Sequence, residues 1–248
     1  MSTKNQPEPP NNDSSNTERN PSPSSNKKHE SSGPRTELSR ASLGRYSLYL
    51  RYTRSLNIAG TKTVSSGQLG DALGITDAQV RKDLAYLGNL GHRGVGYPIP
   101  ELMSALRAIL GVNRNWSVVI VGVGNLARAL LRYQGFREQG FDIVALFDDD
   151  QEKVGQTVEG LLIQSLDELS TMVAQTKAEL AILTVPSEVA QEVADTLVNA
   201  GIRGILNFAP VVLHLPSSVQ LVTVDLAAQL EQLASLIHLG TNDTKKLG

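Results

Sequence analysis

The stretch VVIVGVGNLARALLRY, residues 118–133, decides the fold. Four branched apolar residues run into Gly122 and Gly124, with Val123 between them and Asn125, Leu126 and Ala127 following. This is the pattern of a buried parallel strand, a tight turn and a helix start. At Gly122 the chain must turn sharply. At Gly124 any Cβ would hold the backbone away from a pyrophosphate, and Ala127 lets the helix lie close on the strand. An acid is expected about twenty residues on, at the end of the next strand. Asp148 stands there, closing FDIVALFDDD (141–150). A carboxylate at that point accepts both ribose hydroxyls of a dinucleotide, while Asp149 and Asp150 beside it repel a 2′-phosphate. The ligand class predicted is therefore NAD(H) rather than NADP(H).

Towards the C-terminus, strands and helices alternate. VEGLLIQSLDEL (158–169) reads as a short strand and then a helix opened by Ser165, with Glu168 completing a capping box. AELAILTVP (178–186) is a strand, EVAQEVADTLVNAG (188–201) a helix, and GILNFAPVVLHLP (204–216) a further strand with its exit loop. The alternation predicts a doubly wound parallel sheet. Thr184, Val185 and Pro186, and Asn207, Phe208, Ala209 and Pro210, close later strands on the edge where ligands sit in such sheets, although either group also reads as a plain loop. DLAAQLEQLASLIHLG (225–240) is a leucine-bearing amphipathic helix that one such sheet does not need, so it is expected to pack on a partner.

Towards the N-terminus the character changes. Residues 1–115 carry 15 Lys and Arg against 9 Asp and Glu, and residues 116–248 carry 8 against 16, which returns the overall charge of −2. A basic front half suits a polyanionic partner. Residues 1–36 are rich in Ser, Asn and Pro and are expected to be a disordered tail. From Leu38 to Ile58, Leu43, Tyr46, Leu50 and Leu56 mark an apolar face, with Arg40, Arg45, Arg51 and Arg54 as a basic one. Ser65 with Gln68, and Thr76 with Gln79, are spaced as two capping boxes on either side of Gly74. Two short helices so arranged form a helix-turn-helix, with Val80, Leu84 and Leu87 on the inner face of the second. Arg81 and Lys82 lie on its polar face, where cations meet phosphates and guanine edges. NLGHRGVGYPIPELM (89–103) offers a short hairpin, or wing, holding Arg93, before a last helix closed by Gly111.

Cysteine is absent, which excludes disulfides and thiolate metal sites. None of the four histidines, His29, His92, His214 and His238, shows metal-ligand spacing or an acid arranged for proton transfer. No metal site and no catalytic residue is expected. There is no apolar leader and no run of eighteen apolar residues, so the default location is the cytoplasm.

GRYSLYLRYTRSL, SSGQLGDALGITDAQVRKDLAYLGNLGHRGVGYPIPEL, VVIVGVGNLARALLRYQGF, FDDD, LTVP, GIRGILNFAP and VTVDLA resemble, in that order, the Rex family of bacterial redox-sensing repressors. The likeness covers about residues 38–240. It implies an α/β chain: an N-terminal winged-helix DNA-binding domain (37–114), a C-terminal Rossmann domain (115–224), a domain-swapped helix (225–240) and a flexible tail (241–248). It implies a homodimer on palindromic operator DNA, released by NADH while NAD+ competes for the same pocket. By motif, Ser65, Ser66, Gln79, Arg81, Lys82, Arg93, Gly94 and Tyr97 fall to DNA. Gly122 to Leu126, Asp148, Thr184 to Pro186 and Asn207 to Pro210 fall to the cofactor, and Arg51, Tyr133 and Asp225 to the switch. Gln151 stands where the family pattern has Pro. The alternative is a small NAD-dependent oxidoreductase or nucleotide-binding enzyme, and a hydride-transfer enzyme would need a substrate domain in place of the DNA-binding one.

Overall fold

The computed structural model describes residues 38–92 and 94–244. The predicted tail over 1–36, Arg93 and residues 245–248 lie outside the described residues.

Ser39 caps α1 (Arg40–Ile58) by accepting from the Ser42 N–H. β1 (Thr63–Val64) leads into α2 (Ser66–Leu73), whose capping box is complete: Ser65 accepts from the Gln68 N–H and Gln68 from the Ser65 N–H. Gly74 ends α2 at φ +66, a left-handed cap that glycine adopts without strain. Thr76 then caps α3 (Asp77–Ala85). The second box is only half formed. Thr76 accepts from the Gln79 N–H, but the Gln79 side chain donates to Asp83 at 2.8 Å, because a buried carboxylate competes for it better than the exposed cap does. β2 (Tyr97–Pro98) pairs antiparallel with β1, and with the His92–Gly96 bridge this forms the wing. α4 (Ile99–Ile109) starts within PIPE, with Pro100 in its first turn, and is followed by Gly111 at φ +68.

These helices close over Tyr46, Tyr49, Leu69, Val80, Leu84, Ile99, Leu102 and Leu106, all nearly inaccessible. The buried stripe of α1 is Tyr46, Tyr49 and Thr53, whereas Leu43, Leu50 and Leu56 are only half-buried. Asp83 explains the difference. It is 5% exposed and accepts from Arg45 Nε (2.6 Å) and Nη2 (2.8 Å), from the Tyr49 hydroxyl (2.8 Å) and from Gln79. The Tyr46 hydroxyl donates to the Asp83 carbonyl. Arg45 therefore leaves the predicted basic face and turns inward, fixing α1 to α3.

Beyond this helical lobe, β3 (Trp116–Val121) enters α5 (Asn125–Leu131), and a short α6 (Gly135–Glu138) not foreseen from the sequence precedes β4 (Phe141–Asp148). β5 (Thr157–Val158) and β6 (Leu161–Ser165) form an antiparallel hairpin. Ser165 accepts from the Asp167 N–H and opens a 3-10 turn over Leu166–Glu168, so the predicted Ser165–Glu168 box is replaced and α7 (Leu169–Thr176) begins later. β7 (Leu180–Leu183), α8 (Ala190–Asn199), β8 (Gly204–Asn207), β9 (Gln220–Thr223) and α9 (Leu226–Thr244) complete the described chain. The helix α9 runs past the predicted end at residue 240.

The sheet order is β5-β6-β4-β3-β7-β8-β9, parallel except for the β5 edge. From β6 to β9 this is the doubly wound dinucleotide-binding order, with its reversal between β3 and β7. Val119, Val121 and Phe147 face one layer with Leu169, Val173, Val193 and Leu197 of α7 and α8. Val118, Ile120 and Leu146 face the other with Ala127, Leu130 and Phe136 of α5 and α6.

Burial opposes the charged form of Asp83, but the bonds from Arg45, Tyr49 and Gln79 outweigh it and hold the carboxyl below its ordinary pKa. A carboxyl lowered on folding stabilises above its unfolded pKa of about 4 and loses that contribution as pH falls through the folded value. Asp83→Ala should therefore cost about 3 kcal/mol near neutrality, since it strands Arg45 and two donors. In urea titrations the difference between wild type and variant should shrink below about pH 4.

Candidate functional site

The turn after β3 is shaped by close contacts. Gly122 has φ +90, and a Cβ there would lie 2.7 Å from the Thr184 carbonyl oxygen and from Val185 Cγ1. The Thr184 hydroxyl donates to the Gly122 carbonyl at 2.7 Å, locking the exit of β7 against the turn. At Gly124 a Cβ would meet nothing within 4 Å, so the glycine borders open space. Ala127 is fully buried against the sheet, as a close helix–strand approach requires.

Asp148 closes the other side. It is 4% exposed and accepts from the Val123 N–H (2.7 Å) and the Asp150 N–H (3.0 Å). Lys153 Nζ reaches it at 3.1 and 3.3 Å. Burial opposes the charge of Asp148, but the two N–H donors and Lys153 prevail and hold its pKa down. The bond to Asp148 raises that of Lys153. Gly122, Gly124, Asp148, Asp149, Lys153, Thr184, Val185 and Pro186 line one cleft of about 360 Å³ at the carboxyl ends of β3, β4 and β7. A cleft at this reversal is where open α/β sheets take ligands. The glycine turn, the open space at Gly124 and the acid at the second strand end fit a dinucleotide. Asn125 and Leu126 are exposed at the start of α5, and Val123 has a buried side chain with its N–H spent on Asp148.

The second predicted loop is placed differently. Asn207 is fully buried and donates to the Ala209 and Val211 carbonyls while accepting from the Ala209 N–H. It holds its own loop in shape, with Phe208 half-buried, Ala209 buried and Pro210 exposed, and none of the four lines the cleft. Lys153 is the residue that sequence reasoning passed over. The Asp150 carbonyl accepts from the Lys153 and Val154 N–H groups, and this tight turn folds the ammonium back onto Asp148. Gln151 stands exposed in it. The i to i+3 spacing from Asp150 to Lys153 was the available signal.

On the helical lobe, Ser65 and Ser66 open α2, and Lys82 is exposed on α3. Arg81, also exposed, pairs with Asp77 one turn earlier. Gln79 is drawn inward by Asp83, so its side chain does not join that face. Gly94 is exposed at φ +77 in the wing, and the Tyr97 ring packs over Gly91. Arg51 and Tyr133 line a common groove. Asp225 does not: it accepts from the Ala228 N–H at the start of α9. No group of three metal-ligating residues and no helix long and apolar enough to cross a membrane occurs among the described residues.

Family models match in two places, "Putative DNA-binding protein N-terminus" over residues 37–85 and "CoA binding domain" over residues 113–211. The chain is 46% identical over 205 residues to the redox-sensing transcriptional repressor Rex of Desulfitobacterium hafniense, covering 83% of this chain and 97% of that one. It is also 46% identical over 204 residues to the Rex of Rhodopirellula baltica, covering 82% and 86%. Among solved structures it is similar to RSP in complex with β-NAD+ and operator DNA, with a TM-score of 0.79 and 32% identity over 85% of this chain and 97% of that one. The complex of RSP with β-NADH gives 0.77 and 32%, over 86% and 100%.

The two turn glycines should separate in mutants. Gly122→Ala places a side chain at positive φ against the Thr184 carbonyl and should cost about 2–3 kcal/mol in denaturant unfolding. Gly124→Ala should stay within about 1 kcal/mol of wild type, because its extended backbone and open surroundings accept a Cβ.

Proposed function

The chain belongs to the Rex family of redox-sensing transcriptional repressors, and from that premise we propose that it is a homodimeric repressor released from palindromic operator DNA when NADH occupies the cleft, NAD+ competing. The observation that carries this reading is the Gly122–Gly124 turn tied to Asp148, standing in the same chain as a helix-turn-helix with an exposed basic second helix.

In this reading residues 37–114 are the DNA-binding domain, 115–224 the nucleotide domain and 225–240 the swapped segment. Arg81, Lys82 and the wing meet DNA, with Ser65, Ser66, Gly94 and Tyr97 placed to contact or support the backbone. Gly122 to Leu126 hold the pyrophosphate, Asp148 the adenosine ribose, and Thr184 to Pro186 the far end, with Asn207 shaping the loop to Pro210. The bound cofactor supplies a nicotinamide ring that is positively charged only when oxidised. Among the described residues lining the cleft, the acid–base groups Asp148, Asp149 and Lys153 all stand at the β4 end, which suits a sensor. With its likeness to named repressors along most of its length, the protein is read as a regulator rather than an oxidoreductase.

Two incomplete surfaces support the dimer. A parallel sheet is ordinarily covered on both faces, yet a groove of about 510 Å³ lies open over Val118, Phe136, Ile182, Leu206 and Val222. Leu226, Leu230 and Leu233 form a stripe along one side of α9, each more than half exposed. A second copy supplies each surface with the other. Arg51 and Tyr133 line the groove, so a swapped α9 would bring Asp225 of one subunit towards them in the other. A charge pair made in only one dimer state biases that state.

Fluorescence anisotropy of a palindromic duplex tests this. NADH should release the duplex at fixed salt, NAD+ should oppose the release and NADPH should do little. Lys82→Ala should weaken binding across sequences and lower the salt slope by about one. Asp225→Ala should keep most NADH affinity and lose much of the NADH-driven release. A duplex indifferent to all three nucleotides would refute the regulator and reopen the enzyme.

A further inference from the structure

Asp148 is fully occupied. An ionised carboxylate offers about four acceptor sites, and the Val123 N–H, the Asp150 N–H and two approaches of Lys153 Nζ fill them. Two of these donors belong to the backbone of the glycine turn and of the β4 exit and cannot leave without undoing both. Only Lys153, one-third exposed at the end of a flexible stem, can yield to a ribose diol. Its displacement is local, since Asp150 Oδ2 already stands 3.4 Å from Nζ.

This arrangement has a consequence for what the cleft accepts. An ammonium is a compact point charge that binds phosphate well, and here one is held at the strand end where a nucleotide's 2′ position belongs. Resting on the reading of the cleft as a nucleotide site, we infer that Lys153 is a specificity-determining residue, masked by Asp148 and Asp150 in the wild type and able to bind a 2′-phosphate once Asp148 loses its charge. Discrimination against a 2′-phosphorylated nucleotide then belongs to the Asp148–Lys153 pair and not to the acid alone. The three carboxylates repel the extra phosphate, and Asp148 also keeps the Lys153 ammonium from compensating for it.

The test compares adenosine 5′-monophosphate with adenosine 2′,5′-bisphosphate, which differ only in the 2′-phosphate, by calorimetric titration of the full chain at fixed salt. Wild type, Asp148→Asn, Lys153→Gln and the double variant are measured, with NADH as a reference ligand and melting curves as a control. Asn keeps an oxygen for the Val123 N–H. The wild type should favour the monophosphate, and Asp148→Asn should shrink that preference by about tenfold, the effect of one well-placed charge. In the double variant most of that shift should vanish, because the cation is gone. A shift that persists undiminished in the double variant, or that never arises in a folded Asp148→Asn, overturns the proposal while NADH binding leaves the cleft reading intact. Should Asp148→Asn fail to fold, Asp148→Ser with and without Lys153→Gln takes its place: the single variant should shrink the preference by about tenfold and the double variant restore most of it, and a preference unmoved in the first or unrestored in the second overturns the proposal. Wild type binding neither adenosine ligand nor NADH overturns the cleft reading itself.

Discussion

The 2.7 Å bond from the Val123 N–H to Asp148 joins the ends of the two central strands, and the cleft is built around it. It holds the turn after β3 against the exit of β4, so that Gly122 can lean on the Thr184 carbonyl and Gly124 can border empty space. A buried carboxylate is costly unless every acceptor position is met. Here the backbone meets two of them, which makes the acid a strut of the turn as well as a ligand. Its remaining donor, Lys153, is the replaceable one.

The helical lobe uses the same device. Asp83 gathers Arg45, Tyr49 and Gln79 from two helices, and its carbonyl takes the Tyr46 hydroxyl. The angle between α1 and α3 is thereby set by hydrogen bonds of defined direction as well as by apolar contact, whose packing alone tolerates small rotations. Arg81 and Lys82 ride on the helix so fixed, and their position relative to any phosphate follows from a residue that faces away from them.

Between these two ordered regions lies surface that a single copy leaves unfinished. The segment from Phe208 to Val219 joins β8 to β9 without a helix and packs Ala209, Val211 and Leu213 on the α7–α8 face, while the opposite face, over Ile182, Leu206 and Val222, stays open as a groove. The leucine stripe of α9 is open in the same chain. Arg54 of α1 stands 3.9 Å from Glu138 of α6 near the groove, where a change in packing would be felt by both regions.

The sequence by itself determined the elements whose signal is local. Gly122, Gly124 and Ala127 specify the phosphate turn, Gly74 and the Ser65–Gln68 box specify the helix-turn-helix, and alternating strands and helices specify the doubly wound sheet. The residue order from GRYSLYLRYTRSL to VTVDLA was enough to point to the Rex family. Tertiary structure decided whatever depended on competition between distant partners. Gln79 and Arg45 left their expected places because Asp83, far off in sequence for Arg45, is a stronger acceptor than a cap or solvent. Asn207 turned inward to hold its own loop, and β9 formed only because β8 offered an edge to four residues that carry no alternation of their own. Lys153 reached Asp148 through a turn that composition does not reveal. Periodicity records which face of an element is apolar, but the choice among acceptors for a given donor depends on distance and burial, and these exist only once the chain has folded.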